Sequence, residues 1–247
     1  MNQHTVKAYG DELNQLTAEV ARMGGLAEAQ VADAVESVAR RDIALARAVV
    51  SRDVKLDIMH RDIEKKAIRL IALRQPVASD LRKALSAMKL SVDLERTGDL
   101  AKNIAKRALS LAETEPMQPL TRSIERMGRL VSLRLRDVLD AYTASEIDRA
   151  LSVWQSDDEV DEHYNALFRE LLTYMMGDPR TISACTHLLF MAKNLERIGD
   201  HATNIAETIH YEITGDDMVG ERPRWTPTPS DTAPGMGQTP PLPTPDI

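Results

Sequence analysis

Apolar residues recur at steps of three and four along almost the whole chain, and this spacing is typical of amphipathic helices. The first stripe runs from Leu13 to Ala27. A second helix is expected over about residues 42–74, and a third from Pro76 to about residue 113, because proline suits a first helical turn. The second half repeats this plan, with helices predicted over residues 120–142, 146–176 and 178–214, the last one ending at Gly215.

A 13-residue acidic phrase marks the same repeat directly. It occurs at residues 93–105 and again at 194–206, and nine of the 13 positions are identical. The offset is 196 − 95 = 101 residues, which is the length of a domain and not of a solenoid repeat. Since long helices with short connections pack as antiparallel neighbours, the sequence predicts an all-α fold of two tandem antiparallel three-helix bundles.

The domain boundaries follow from prolines and composition. We expect one three-helix repeat in residues 1–115, a second in residues 116–215, and a tail in residues 216–247. Eight of the 12 prolines fall in that tail, which predicts a disordered extension. A weaker alternative is a proline-rich docking peptide at Pro240-Pro241-Leu242-Pro243.

Composition and charge argue against several classes of protein. A net charge of −7 argues against a nucleic-acid binder, which needs a basic surface. The single cysteine, Cys185, excludes a disulfide framework and a thiolate metal site, and it is expected to be a buried thiol. The N-terminus carries no apolar signal core, and no apolar run approaches the roughly 20 residues that span a bilayer. A cytoplasmic protein is therefore expected.

The candidate chemistry lies in acidic residues spaced four apart, which share one face of a helix. Each copy of the phrase aligns a Glu, an Asp and an Asn in this way: Glu95, Asp99 and Asn103, then Glu196, Asp200 and Asn204. The second helix of each unit carries two aspartates at the same spacing, and the two pairs differ by 104 positions: Asp53 and Asp57, then Asp157 and Asp161.

Carboxylates on such faces would be costly unless something neutralised them. A multivalent cation between helices would do so, and an all-oxygen ligand set suits Mg²⁺, Mn²⁺, Ca²⁺ or iron. The alternative is that Lys or Arg side chains pair with these acids, or that the faces are solvated. For a single pair that alternative is favoured, but four pairs repeated in register favour metal.

Other motifs are weaker. His201 follows Asp200, but Leu100 stands at the equivalent place in the first repeat, so a surface histidine is expected. Gly98 and Gly199, inside predicted helices, indicate a close approach between helices or room for a ligand. A ferritin-like di-iron protein needs Glu-x-x-His motifs on two helices, and only Glu207-x-x-His210 fits. A metal-independent helical adaptor is the other alternative.

Four stretches together resemble the PhoU family of bacterial phosphate transport and phosphate signalling. They are the two acidic phrases, the opening around Tyr9-Gly10-Asp11-Glu12-Leu13, and the segment Leu73-Arg74-Gln75-Pro76-Val77-Ala78-Ser79-Asp80-Leu81-Arg82. The resemblance covers residues 4–214. It departs from the family where the second unit has Asp178-Pro179-Arg180-Thr181 in place of the Gln-Pro-Val-Ala segment, and in the proline-rich tail.

The resemblance implies multinuclear metal clusters of uncertain identity, with iron, Mn or Mg expected, held by the eight acids named above. It implies a non-enzymatic negative regulator of phosphate-starvation signalling and phosphate uptake. The implied partners are the ATPase subunit of the phosphate transporter and a membrane sensor histidine kinase. A homodimer is expected on the same ground.

Overall fold

The computed structural model describes residues 2–114, 117–218 and 220, with side chains from residue 10 onward in the first helix. Within these residues the secondary structure is helical and contains no strand, as predicted. Eight α-helices follow one another: α1 Asn2–Arg40, α2 Ile43–Arg52, α3 Val54–Arg74, α4 Ala78–Leu111, α5 Gln118–Ala144, α6 Ile147–Gln155, α7 Asp158–Gly177 and α8 Ile182–Thr214.

The second helix of each repeat is broken, so the prediction of continuous helices over 42–74 and 146–176 was wrong. The breaks fall at Asp53, between α2 and α3, and at Asp157, between α6 and α7. Both aspartates keep right-handed helical dihedral angles, with φ −56° and ψ −37° at Asp53 and φ −61° and ψ −38° at Asp157, whereas Ser156 before Asp157 departs from them with φ −103° and ψ 19°. Aspartate favours such interruptions because its short polar side chain forms bonds outside the helical ladder.

The starts of the last helices also differ from expectation. Gln75 ends α3 in a left-handed conformation with φ 49°, and Pro76 does not open the third helix, because Val77 after it is extended with φ −121° and ψ 155° and the helix begins at Ala78. Pro179 begins a short 3-10 turn, Pro179–Thr181, and the Asp178 carboxylate accepts a bond from the Arg180 amide as the predicted cap. The predicted C-cap at Gly215 is confirmed, with φ 86°.

The two repeats pack on each other through α4 against α8 and α1 against α5. Helices α4 and α8 run antiparallel, since Arg82 Nε donates to the Glu212 carbonyl near one end and the Arg107 guanidinium lies over the Phe190 ring near the other. One cluster of buried apolar side chains extends through both repeats and includes Cys185, which is buried as predicted.

Two sequence predictions concern residues that lie entirely or mostly outside the described part of the chain. The boundary at 115/116 and nearly all of the tail, residues 216–247, lie outside the described residues. No helix in the described part of the chain is long and apolar enough to cross a bilayer.

Candidate functional site

The eight predicted acidic residues lie where each helix break packs against the last helix of its own repeat. Asp53 and Asp157, at the breaks, are buried with 3% and 7% of their surfaces exposed. The other six acids are partly exposed and lie one turn into α3 and α7 or on the facing surfaces of α4 and α8. Each repeat thus forms one acidic site: Asp53, Asp57, Glu95 and Asp99 in the first, and Asp157, Asp161, Glu196 and Asp200 in the second.

The carboxylates within each site act on one another electrostatically. Burial raises the pKa of Glu95, and the charges of Asp99 and Asp57 raise it further. Burial also raises the pKa of Glu196. A hydrogen bond from Lys193 lowers this pKa, and the charges of Asp200 and of Asp161 on α7 raise it. Acids on two different helices therefore converge in both repeats, which spacing along a single helix could only suggest.

Side chains of the protein satisfy Asp53 in the first site. Gln30 on α1 donates to Asp53 Oδ1 at 3.1 Å and to the Gly98 carbonyl at 3.2 Å. Lys102 on α4 donates to Asp53 Oδ2 at 2.5 Å and to Asp99 Oδ1 at 2.9 Å. These bonds raise the pKa of Lys102. The Lys102 ammonium therefore bridges two carboxylates of the first site.

In the second site, different residues form the hydrogen bonds to the aspartate at the break and to its neighbours. Thr203 on α8 donates its hydroxyl to Asp157 Oδ1 at 2.7 Å. Arg134 on α5 is 6% exposed and binds on both sides of the break, to Ser156 Oγ at 2.6 Å and to Glu159 Oε2 at 2.6 Å. Arg134 therefore brings a positive charge to this break from α5.

The residues that bond the two breaks occupy equivalent positions in the two repeats, but the charged and the neutral side chains are exchanged between these positions. Gln30 corresponds to Arg134, since 134 − 30 = 104, and Lys102 corresponds to Thr203, since 203 − 102 = 101. Both offsets are those of the sequence repeat. Sequence reasoning missed these four residues because it followed only positions where the repeats agree. A comparison of positions where they differ could have found them.

The donor chemistry partly fits a metal ion. Glu196 Oε2 is buried and has no hydrogen-bond partner among the described residues, and the surrounding donors are oxygens. However, no group of three or more His, Cys, Asp or Glu side chains within residues 2–114, 117–218 and 220 is arranged to hold a metal ion. Of the two additional candidates, Asn103 is exposed and Asn204 is partly buried. The second site thus contains a buried carboxylate oxygen without a hydrogen bond from the described residues, whereas in the first site Lys102 bonds two of the four carboxylates.

His201 is not a surface residue, contrary to the prediction. It is 7% exposed, and its Nδ1 lies 2.9 Å from Asp93 Oδ1 across the contact between α8 and α4. The sequence did not indicate this burial because the partner, Asp93, belongs to the other repeat. His60 Nδ1 lies 3.0 Å from Ser91 Oγ on the neighbouring α4.

The interpretation of Gly98 as a point of close helix approach is confirmed. A Cβ atom at this position would overlap Leu56 Cδ1 and lie 3.3 Å from Asp53 Oδ1. At Gly199 the nearest atom to an added Cβ would be Val160 Cγ1, at 3.3 Å. Glycine therefore lets the first helix break approach α4 closely, and the second repeat is less tightly packed at the same place.

The fold and the sites define the class of this protein: it is an all-helical protein of two repeats, each with acidic motifs on two facing helices. The family profile of the PhoU domain matches the chain twice, over residues 20–108 and 124–209. The chain belongs to the PhoU family.

Similar proteins agree with this membership. The chain is 68% identical over 224 residues to the phosphate-specific transport system accessory protein PhoU homolog of Caulobacter vibrioides, covering 91% of this chain and 97% of that protein. It is 39% identical to the phosphate-specific transport system accessory protein PhoU of Escherichia coli K12, covering 88% of this chain and 90% of that one.

Solved structures show the same fold. The crystal structure of PhoU from Pseudomonas aeruginosa matches with a TM-score of 0.79 and 41% identity, over 84% of this chain and all of that one (100%). The phosphate transport system regulatory protein PhoU from Streptococcus pneumoniae matches with a TM-score of 0.79 and 31% identity, over 85% of this chain and 99% of that one. The all-α repeat predicted from the sequence is thereby confirmed.

Proposed function

We propose that this protein is an accessory regulator of bacterial phosphate transport that represses phosphate-starvation signalling when phosphate is plentiful. The observation that carries the proposal is the 68% identity, over nearly the full length of both chains, to a protein named as a phosphate-specific transport system accessory protein. Regulation of this kind requires contacts that differ between two states of a partner and needs no catalytic group.

The proposed partners are the ATPase subunit of the phosphate transporter and a membrane sensor histidine kinase. The protein would contact the transporter in the cytoplasm and bias the kinase towards its inactive form. A homodimer is the proposed working state, since two copies could engage the two sides of a symmetric partner.

The acidic sites are proposed to hold divalent or trivalent cations, with iron, Mn²⁺ or Mg²⁺ as candidates. A bound cation would neutralise carboxylates that burial and mutual repulsion make costly, and it would tie each helix break to the last helix of its repeat. The convergence of Glu196, Asp200 and Asp161 supports this role, as does Glu196 Oε2, which is buried without a hydrogen bond from the described part of the chain.

The regulatory role is tested by alkaline phosphatase activity in phosphate-rich medium, in the bacterium that carries the gene. Deletion is expected to raise the activity, and restoring the gene on a plasmid is expected to silence it. Activity that stays low on deletion would contradict the proposal, and the family fold would then serve another role in this organism.

The metal proposal is tested on purified full-length protein by elemental analysis after loading with Mn²⁺ or Fe²⁺ and desalting. Replacing Glu196 with Gln and Asp200 with Asn is expected to lower the bound metal. The matched control is Asp137→Asn with Asp140→Asn, a pair of carboxylates on α5 that Arg149 binds outside both sites. Equal metal content in the two double variants would contradict the assignment.

A further inference from the structure

A line of cationic side chains without carboxylate partners follows the contact between α4 and α8. We call it the basic stripe, and it consists of Arg82, Lys89, Arg96 and Arg107 on α4 and Arg197 on α8. Among the described residues, no carboxylate forms an ion pair with any of the five. Arg82 donates to a backbone carbonyl, and Lys89 and Arg107 lie over the rings of Tyr211 and Phe190. The chain as a whole carries a net charge of −7, so this surplus of positive charge is local.

The equivalent contact between α1 and α5 has no such surplus. The groove along that contact is also lined by three arginines, but each of them binds a carboxylate of the protein. The pairs are Arg40 with Glu36, Arg129 with Glu125, and Arg136 with Glu28. Of the two contacts between the repeats, it is therefore the one between α4 and α8 whose cations are left for an external anion.

The repeat places two of these arginines side by side. The contact of His201 Nδ1 with Asp93 Oδ1, at 2.9 Å, fixes the level of α8 against α4. Arg96 follows Asp93 by three residues, and Arg197 precedes His201 by four. Because the two helices are antiparallel, both arginines lie about one turn, roughly 5–6 Å, from that contact in the same direction and on the same faces. Both are exposed, and two like charges held together in this way repel each other unless an anion binds between them.

The spacing of the cations along α4 matches the period of a packed helix. Arg82, Lys89 and Arg96 follow one another at steps of seven, since 89 − 82 = 7 and 96 − 89 = 7. Seven residues are two helical turns, so these side chains form one line with about 10 Å between neighbours. Charged residues at a seven-residue period are those that pair between two helices lying side by side. Leu85 and Phe190 are 37% and 47% exposed on the same two helices and offer apolar contacts beside the charges.

We propose that the basic stripe binds an acidic helix of a protein partner, with carboxylates repeated every seven residues. This inference rests on the proposed function, in which the protein regulates by contact, and it gives that contact a place and a charge. The acidic sites lie on either flank of the stripe, and the Asp99 side chain on one flank is 47% exposed. A broad anionic surface such as a lipid bilayer would meet these acids as well. A single helix, about 10 Å wide, fits between them.

The variant for the test combines Arg96→Gln with Arg197→Gln. Both side chains are exposed and form no ion pair with a described carboxylate, so the variant should fold as the wild type does, which circular dichroism checks. The matched control combines Arg40→Gln with Arg129→Gln on α1 and α5, where the side chains are 74% and 63% exposed. Both double variants change the net charge equally, so a difference between them reports the place of the charges and not their number.

The experiment titrates each purified full-length protein against a fluorescent, alanine-rich helical peptide of about four heptads with glutamate at every seventh residue, and follows anisotropy. The wild type should bind this peptide, more weakly as salt is added, and should not bind its glutamine counterpart. The Arg96 and Arg197 variant should bind on the order of tenfold more weakly, and the control variant should bind as the wild type does. A second probe is vesicles of phosphatidylglycerol and phosphatidylcholine, which none of the three proteins should bind.

The same variants are then compared in the bacterium. In a deletion strain grown in phosphate-rich medium, the wild-type gene and the control variant should repress alkaline phosphatase. The Arg96 and Arg197 variant should repress it several-fold less, because the contact with the partner is weakened.

Failure of the inference and failure of the proposed function give different results. If the two double variants bind the peptide equally, or if the wild type binds the vesicles and not the peptide, the stripe does not bind an acidic helix. Full repression by the Arg96 and Arg197 variant overturns the inference as well, while the proposed function stands. If the wild-type gene itself does not repress, the proposed function fails, and the peptide titration alone decides whether the stripe binds an acidic helix.

Discussion

Replacing Lys102 with alanine should destabilise the protein far more than replacing any exposed lysine. The ammonium is the charged partner of Asp53, whose side chain is 4% exposed, and the distance between them is 2.5 Å. Removing one partner of a buried ion pair costs about 3–5 kcal/mol, because the other charge stays buried. Lys102 is partly hydrated, and Gln30 remains as a donor to Asp53. The expected loss is therefore near the lower end, about 3 kcal/mol.

The assay is urea unfolding followed by circular dichroism at neutral pH in buffer with EDTA, so that no metal can replace the lysine. Lys106→Ala, an exposed position on the same helix, should change the free energy of unfolding by about 0.5 kcal/mol or less. Adding Asp53→Asn to Lys102→Ala should restore part of the loss, because the remaining side chain is neutral and still accepts the Gln30 bond.

The double variant tests whether Lys102 and Asp53 are energetically coupled. If Lys102→Ala costs no more than Lys106→Ala, the bridge contributes nothing that solvent cannot replace. If the effects of Lys102→Ala and Asp53→Asn simply add, the two groups are not coupled. Either result would remove the physical basis for treating Lys102 as the cation of the first site.

Three further predictions concern packing and charge elsewhere in the bundle. Gly98→Ala should lower the free energy of unfolding in urea by about 1–2 kcal/mol, because its methyl group meets the buried Leu56. Gly25 is exposed, with nothing within 4 Å of an added Cβ, so Gly25→Ala should raise the free energy of unfolding by up to about 1 kcal/mol. Burial raises the pKa of Glu212 from 4.5 to about 7. Between these pH values the folded protein holds a proton that the unfolded chain releases, so the free energy of unfolding falls as the pH rises from 4.5 to 7. Glu212→Gln should therefore be more stable than wild type by about 1–3 kcal/mol at pH 8 and equal to it below pH 4.5, as measured by thermal unfolding across pH. Arg134→Met should lower the free energy of unfolding by about 1–3 kcal/mol through its lost bonds at the second helix break, and equal stability would contradict that role.

The helical periodicity and the repeat predicted the fold because both are local properties of the sequence. Helix ends marked by glycine or by a capping aspartate, as at Gly215 and Asp178, were predicted for the same reason. The breaks at Asp53 and Asp157 were not, since both residues keep helical dihedral angles and turn their side chains towards partners on other helices. The signal for a break there is tertiary.

The candidate sites were predicted in part. The acids could be found because they repeat, and the structure brings acids from two helices together in each repeat. Lys102, Arg134 and the contact of His201 with Asp93 could not be found in this way, because each exists in one repeat only. Chemistry shared by two repeats is visible in one sequence, whereas chemistry that distinguishes them depends on packing between distant helices.

We propose that the protein represses phosphate-starvation signalling and that it uses its acidic sites to do so. The most direct measurement is alkaline phosphatase activity in phosphate-rich medium, in a deletion strain that carries either the wild-type gene or the variant with Glu196→Gln and Asp200→Asn. Circular dichroism should first show that the variant protein is folded. We expect low activity with the wild-type gene and high activity with the variant. Equal repression by both would contradict the role of the second acidic site, and failure of the wild-type gene to repress would contradict the proposed function itself.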